Sequence, residues 1–224
     1  MILENNCIIL NNYLTPDEVE RIHKSSESIP WDSGRTGGNQ DDPDAPQEVE
    51  EGHGLNEDLR VSQIKWFDKY NFIPSDINNK IIEGLQIANR NADWNVNIDY
   101  FENFQYTQYT ADRGKPGFYT WHTDHGGMLN NDGTIRKLSI TIQLSEPDDY
   151  NGGHFQWLEP VNEFNQLTKE KVVDVHKMVQ TAPFSAKAIG TMIVFPSFVY
   201  HQVTPVTMGT RKSLVGWACG QPYV

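Results

Sequence analysis

Cysteine is nearly missing: Cys7 and Cys219 are the only two in 224 residues. They cannot build a disulfide framework, and no CxxC pair offers a structural zinc or a redox dithiol. Both stand in apolar, strand-like stretches, which reads as buried thiols rather than reactive ones. Long apolar runs are lacking too; no stretch reaches the length of a bilayer span. The opening residues, MILENNCIILNNYL, have no basic n-region and no small-residue cleavage site, so they do not read as a signal peptide. Positive charge is scarce: 18 Lys and Arg stand against 30 Asp and Glu, a formal net charge of −12, with a pI near 4.9. An acidic surface repels phosphate backbones, which makes nucleic acid a poor partner, and would attract a basic peptide. The expectation is a cytoplasmic protein that engages neither nucleic acid nor membrane, with its oligomeric state left open.

Hydrophobic residues at 38% and aromatics at 11% can fill a core, and the length fits one domain over 1–224. Near the N-terminus, 7–10 reads as a short strand. Thr15-Pro16-Asp17-Glu18 is a capping box with proline at the first helical position, predicting a helix to about Ser26. The stretch 33–56 is rich in Gly, Pro and acid without apolar period. It reads as a long loop, and the expectation is a lid over a functional site. Residues 59–66 alternate like a strand. Ser75-Asp76 is expected to cap a second helix carrying Ile77, Ile81, Ile82, Leu85 and Ala88 on one face.

After Asn91 the character changes. Segments 104–110, 118–123, 136–144, 154–157, 191–195, 199–203 and 212–218 read as short strands separated by Gly, Pro, Asn and Asp, with a weaker strand within 171–179. Many short, punctuated strands indicate a sandwich or barrel. The fold class is therefore mainly β with flanking helices: a strand–helix support over about 1–95 and a β core over about 96–220.

Trp121-His122-Thr123-Asp124 closes one of these strands. Two positions apart, His122 and Asp124 share a side and can bind one metal; alone, an HxD is weak evidence. Phe195-Pro196-Ser197 and Tyr200-His201-Gln202-Val203 lie on later strands. A third ligand at His201 would complete a two-histidine, one-carboxylate face, which leaves open positions and suits non-haem Fe(II). A lone histidine there would more often be a satisfied core residue. Arg211 follows ten positions after His201. Strand parity puts it with Ser213, Val215 and Trp217 on one face, and Lys212 with Leu214 on the other. An inward arginine needs an anion, and a dicarboxylate fits its planar fork; an isolated arginine is more often in a surface salt bridge. Gly152-Gly153 reads as a tight turn. Trp121, Trp157 and Trp217 read as core. His23, His53, His125, His154 and His176 are not assigned to a metal.

The ordered set Tyr109, Gly117 to Asp124, Arg136 to Ser139, Leu144 to Gly153, Phe195-Pro196-Ser197 and His201 to Arg211 resembles the prolyl 4-hydroxylase-like 2-oxoglutarate oxygenases, and most nearly the bacterial and phage PKHD-type hydroxylases. The resemblance implies a double-stranded β-helix, the jelly-roll of the cupins. It implies His122, Asp124 and His201 as iron ligands, Arg211 as the clamp on the distal carboxylate of 2-oxoglutarate, and Tyr109 and Gln143 lining the co-substrate pocket. The implied cofactors are Fe(II), 2-oxoglutarate and O2, with ascorbate as a further candidate. The implied reaction hydroxylates a C–H, in a prolyl residue of a peptide or protein, and releases succinate and CO2. Related halogenases lack the carboxylate, so Asp124 favours hydroxylation. Two alternatives stay open: a hydroxylase of a free amino acid or other small molecule, and a cupin-like zinc hydrolase or metal-binding protein without oxygenase activity.

Overall fold

The computed structural model describes residues 6–36, 55–68, 72–112, 115–125, 129–159, 163–164, 171–172 and 178–223. The loop expected over 33–56 lies outside them at 37–54, as do His53 and His176.

Strand β1 (Ile8–Leu10) leads into helix α1 (Pro16–Ser26), followed by β2 (Asp32–Ser33), β3 (Arg60–Val61), β4 (Gln63–Trp66) and helix α2 (Ser75–Asn91). Then come β5 (Tyr100–Phe101), β6 (Gln105–Asp112), β7 (Lys115–Pro116), β8 (Phe118–His122) and β9 (Ile135–Gln143). Next are β10 (Tyr150–Gly152), β11 (Phe155–Leu158), β12 (Glu163–Phe164), β13 (Lys171–Val172) and β14 (Val179–Thr181). The last three strands are β15 (Met192–Pro196), β16 (His201–Val203) and β17 (Val206–Gly220).

Thr15 caps α1 as the sequence predicts. Its side chain accepts from Glu18 N, and the Glu18 carboxylate accepts from Thr15 N. Val19, Ile22 and Ser26 form the buried stripe. Helix α2 departs from expectation at its start. It begins at Ser75 with Pro74 at the cap position; proline has no acceptor side chain, so there is no side-chain cap, and Asp76, inside the first turn, pairs with both terminal guanidinium nitrogens of Arg21 on α1. Ile82 is only half-buried; its place on the buried face is filled by Gly84, where a Cβ would meet the Tyr13 ring at 2.6 Å.

The larger sheet runs β1-β15-β9-β17-β6-β4-β2, with β5 and β10 also paired to β17; the smaller runs β14-β11-β16-β8-β3. Strand β17 is longer than the seven residues read from the sequence, because β10 extends the pairing at its start and β5 at its end. Along β9, Leu138, Ile140 and Ile142 pack with Ile77, Ile81 and Leu85 of α2 in the main core. The alternate residues Ser139, Thr141 and Gln143 turn to the other face, between the two sheets, and are also buried. A strand apolar on its helix side and polar on its inner side already marks the inner space as more than a packed core.

The capping box gives a direct check. Thr15→Ala removes the acceptor for Glu18 N, so unfolding in urea should show a loss of about 1 kcal/mol with an unchanged m value. An unaltered midpoint would show that the cap contributes nothing.

Candidate metal and dicarboxylate site

His122 is the last residue of β8, and His201 the first of β16. The antiparallel pairing of these strands sets the two histidines opposite one another, with ring centroids 4.1 Å apart. Asp124 lies beyond the end of β8, so strand pleat alone does not aim it. Instead, Asp124 N and His125 N both donate to Ser197 O, at 2.9 and 3.0 Å. That turn brings the Asp124 carboxylate to 3.6 Å from Nε2 of His122 and of His201. The ligand atoms of the three residues all lie within 4.8 Å of one another.

The tautomers follow from the outer contacts. His122 Nδ1 lies 2.7 Å from Thr120 O, and His201 Nδ1 lies 3.0 Å from Val199 O. A carbonyl can only accept, so each Nδ1 carries the proton and each Nε2 presents its lone pair to the centre. Burial, then the neighbouring His201, pushes His122 down to about 3 against the pull of Asp124. Burial alone would raise Asp124, but His201, His122 and Arg136 with a hydrogen bond from Ser139 outweigh it and hold the carboxylate low. With both Nδ1 atoms turned to backbone carbonyls, two imidazole Nε2 atoms and a carboxylate converge, which is the donor set that divalent iron accepts.

The same cavity contains Arg211. It is 1% exposed, yet Nε and Nη2 have no partner among the described residues, and Nη1 has only a long contact of 3.4 Å to Ser213. Parity is as read from the sequence: Arg211, Ser213, Val215 and Trp217 all line the cavity. Lys212 is on the opposite face and half-buried. Tyr109 is the cross-strand partner of Arg211 and lines the cavity, its ring centroid 5.6 Å from the guanidinium carbon. Gln143 is paired with Ser213, and its Oε1 is buried without a partner. A buried guanidinium without an acceptor is costly. A carboxylate end of 2-oxoglutarate supplies that acceptor, so the residues present fit the group.

Other histidines stay apart from the centre. His23 bridges Tyr106 and Leu144 O, His125 contributes its backbone to Ser197, and His154 is exposed. Trp217 is buried as the sequence reading has it, and it also walls the cavity, leaves Nε1 unpartnered, and carries Arg136 4.0 Å above its ring. Sequence reasoning missed Arg60 and its contact with Tyr119. Tyr119 stacks on the His122 ring at 3.4 Å between centroids, and Arg60 lies 4.7 Å over Tyr119. Arg60 spends its donors on Ser62 Oγ, Arg35 O and Gln105 Oε1. Alternation within 59–66 was the available signal, but an arginine on a short strand reads as surface until its cross-strand partner is known.

A jelly-roll whose inner face gathers His, Asp and His beside a buried arginine defines a metal-dependent protein with a site for an anionic co-substrate. Residues 104–219 match the 2OG-Fe(II) oxygenase superfamily, just over half of the chain, and the chain belongs to that superfamily. Among curated relatives, a PKHD-type hydroxylase of Hyphomonas neptunium is 31% identical over 105 residues, 46% of this chain and 38% of that protein. A PKHD-type hydroxylase of Picosynechococcus is 35% identical over 103 residues, 46% of this chain and 37% of that protein. The matches thus span less than two fifths of these relatives' length. Among solved structures, a Pseudomonas putida prolyl-4-hydroxylase superposes with a TM-score of 0.57 at 19% identity, covering 98% of this chain and 95% of that one. A Trichoplax adhaerens prolyl hydroxylase, in complex with a hypoxia inducible factor oxygen degradation domain peptide fragment, gives 0.59 at 17%, covering 96% and 84%. At such identities the likeness is one of fold, and it bears out the double-stranded β-helix.

The buried histidines predict an acid-labile metal-free protein. His122 and His23 both have folded pKa values below the usual 6.5, so their neutral forms belong to the folded state. Their contribution is complete above about pH 6.5 and is lost as pH falls below it, towards about 3 for His122. Asp124, also held low, adds a loss of the same sign at lower pH. Urea midpoints of the metal-free protein should fall steadily from pH 7.5 to 5; a rise would contradict the burial of neutral imidazole.

Proposed function

We propose that the chain is an Fe(II)- and 2-oxoglutarate-dependent dioxygenase, one catalytic domain that hydroxylates a prolyl residue in a peptide or protein. One observation carries the reading: the His122–Asp124–His201 cluster shares a cavity with a buried arginine that lacks an acceptor. Zinc also accepts such ligands, but a zinc hydrolase has no use for that arginine.

When bound, iron with 2-oxoglutarate and O2 supplies the oxidising chemistry, giving succinate, CO2 and a hydroxylated substrate. The chain's part is placement. His122 and His201 would hold the ion through Nε2, and Asp124 through a carboxylate oxygen. Arg211 holds the distal carboxylate, with Tyr109 and Gln143 at its flanks. Tyr119 stacked on His122 keeps that ring in one plane, and Phe155, Phe195 and Val203 exclude water from the cavity wall.

Support for a prolyl peptide is of a different kind. The relatives named above include PKHD-type hydroxylases and a prolyl hydroxylase in complex with a peptide. Tyr119 and Trp217 wall the cavity and can flank a flat apolar ring. A net charge of −12 draws in basic polypeptides.

Three outcomes test this reading. His122→Ala, Asp124→Ala and His201→Ala should each abolish iron-dependent turnover of 2-oxoglutarate; full activity in any one removes that residue from the ligand set. Arg211→Ala should weaken 2-oxoglutarate binding by roughly 2–5 kcal/mol, about 30- to several-thousand-fold, while Lys212→Ala on the outer face changes little. Anaerobic titration, followed by the visible band of the iron–co-substrate complex, measures both. Finally, proline-containing peptides should gain the mass of one oxygen alongside succinate; oxygen gained only by free amino acids would replace the peptide with a small-molecule substrate.

A further inference from the structure

We propose that Tyr150, backed by Lys187, is a second donor to the distal carboxylate of 2-oxoglutarate beside Arg211; this rests on the reading above that the cavity binds that co-substrate.

Tyr150 opens β10 and pairs with Gly209, two residues before Arg211 on β17. Its ring is 2% exposed and packs with Tyr109, Val203 and Val206. Burial pushes the phenol up, while the nearby Arg211 charge and a hydrogen-bonding approach of its guanidinium pull it down. The hydroxyl nevertheless has no well-aligned partner among the described residues, and neither do Arg211 Nε and Nη2. A guanidinium has no lone pair to offer, so Arg211 cannot accept the phenolic proton. The phenolic oxygen can accept from Arg211, but the phenolic proton and the remaining Arg211 donors then have no well-aligned acceptor among the described residues. One carboxylate, with two oxygens and several lone pairs, satisfies both.

Lys187 strengthens this arrangement from behind. Its ammonium lies 4.3 Å from the Tyr150 ring centroid. No salt bridge joins it to a carboxylate among the described residues, and burial followed by repulsion from Arg211 lowers its pKa. A cation over the ring face draws electron density from the phenol, which makes the hydroxyl a better donor. Both cations also make the surroundings of Tyr150 locally positive in a protein of net charge −12, which would otherwise repel a dianion. The Gly152-Gly153 turn makes the approach possible. At Gly153 (φ +58°) a Cβ would meet Arg211 Cδ at 2.9 Å, Val206 Cγ2 at 3.0 Å and Tyr150 Cε2 at 3.3 Å. The turn serves to seat Tyr150 against the arginine, beyond reversing the chain.

The inference separates ligands by their distal carboxylate. Protein loaded with Mn(II) should be titrated calorimetrically with 2-oxoglutarate and with 2-oxopentanoate, which has the same keto acid end but no distal carboxylate. Tyr150→Phe keeps the ring and removes the donor. It should weaken 2-oxoglutarate about tenfold, the loss of one hydrogen bond to a charged group, and leave 2-oxopentanoate unchanged. Lys187→Met should weaken 2-oxoglutarate a few-fold and flatten its salt dependence. Equal 2-oxoglutarate affinity in the wild type and the Phe variant overturns the inference alone. Equal losses for both ligands overturn it too, since they mark a packing role. A wild type that binds no 2-oxoglutarate overturns both the inference and the reading beneath it.

Discussion

His201 faces His122 because β16 and β8 are antiparallel neighbours whose pairing sets these two residues opposite each other, with a register shift before Val203, and the rest of the site is organised around that pairing. A slip of one residue in either strand would turn its histidine out of the cavity, since side chains alternate along a strand. The turn at Ser197 then adds the carboxylate by binding two successive backbone N–H groups beyond the end of β8. Ser197 is itself held by its hydroxyl contact with Ser139, 2.9 Å away on the inner face of β9. One sheet therefore supplies the histidines, and the other supplies the support that aims the aspartate between them.

Polar groups on the inner face carry an energetic cost that the outer layer offsets. Helices α1 and α2 cover the outer face of the larger sheet with Ile22, Ile77, Ile81 and Leu85 against Leu138, Ile140, Ile142 and Leu214, all essentially buried. Each such side chain stabilises the fold by roughly 1.5–3 kcal/mol. That margin lets the inner face keep Arg211, Gln143 and Tyr150 with unmet hydrogen-bonding capacity. The conflict between a buried donor and its missing acceptor is local and points to a ligand.

Charge is divided in the same way. The chain as a whole is strongly acidic, whereas its inner space holds Arg60 and Arg211, with Arg136 at the Trp217 wall. Arg60 has used its N–H groups on neighbours and acts as part of the wall. Arg136 is held by Glu102 through two contacts. Arg211 is the one of these three with free donors, and that contrast, more than positive charge itself, singles it out for a ligand.

Much of the site was legible because it is written in local code. The capping box and the parity of Arg211, Ser213, Val215 and Trp217 depend on spacings of two or three residues, which backbone geometry converts directly into caps and shared faces; the HxD pair named two able ligands but not their aim. The sequence by itself thus determined the helix start, the side on which Arg211 stands, and the set of chemically able residues. It did not determine who meets whom. The approach of His122 to His201, the aim of Asp124 by Ser197, the cover of Tyr119 by Arg60, the pairing of Asp76 with Arg21 and the seat of Tyr150 against Arg211 all join residues far apart in the chain. Those contacts are set by strand pairing and sheet stacking, whose registers depend on the whole core being packed at once, and so only the tertiary structure could decide them.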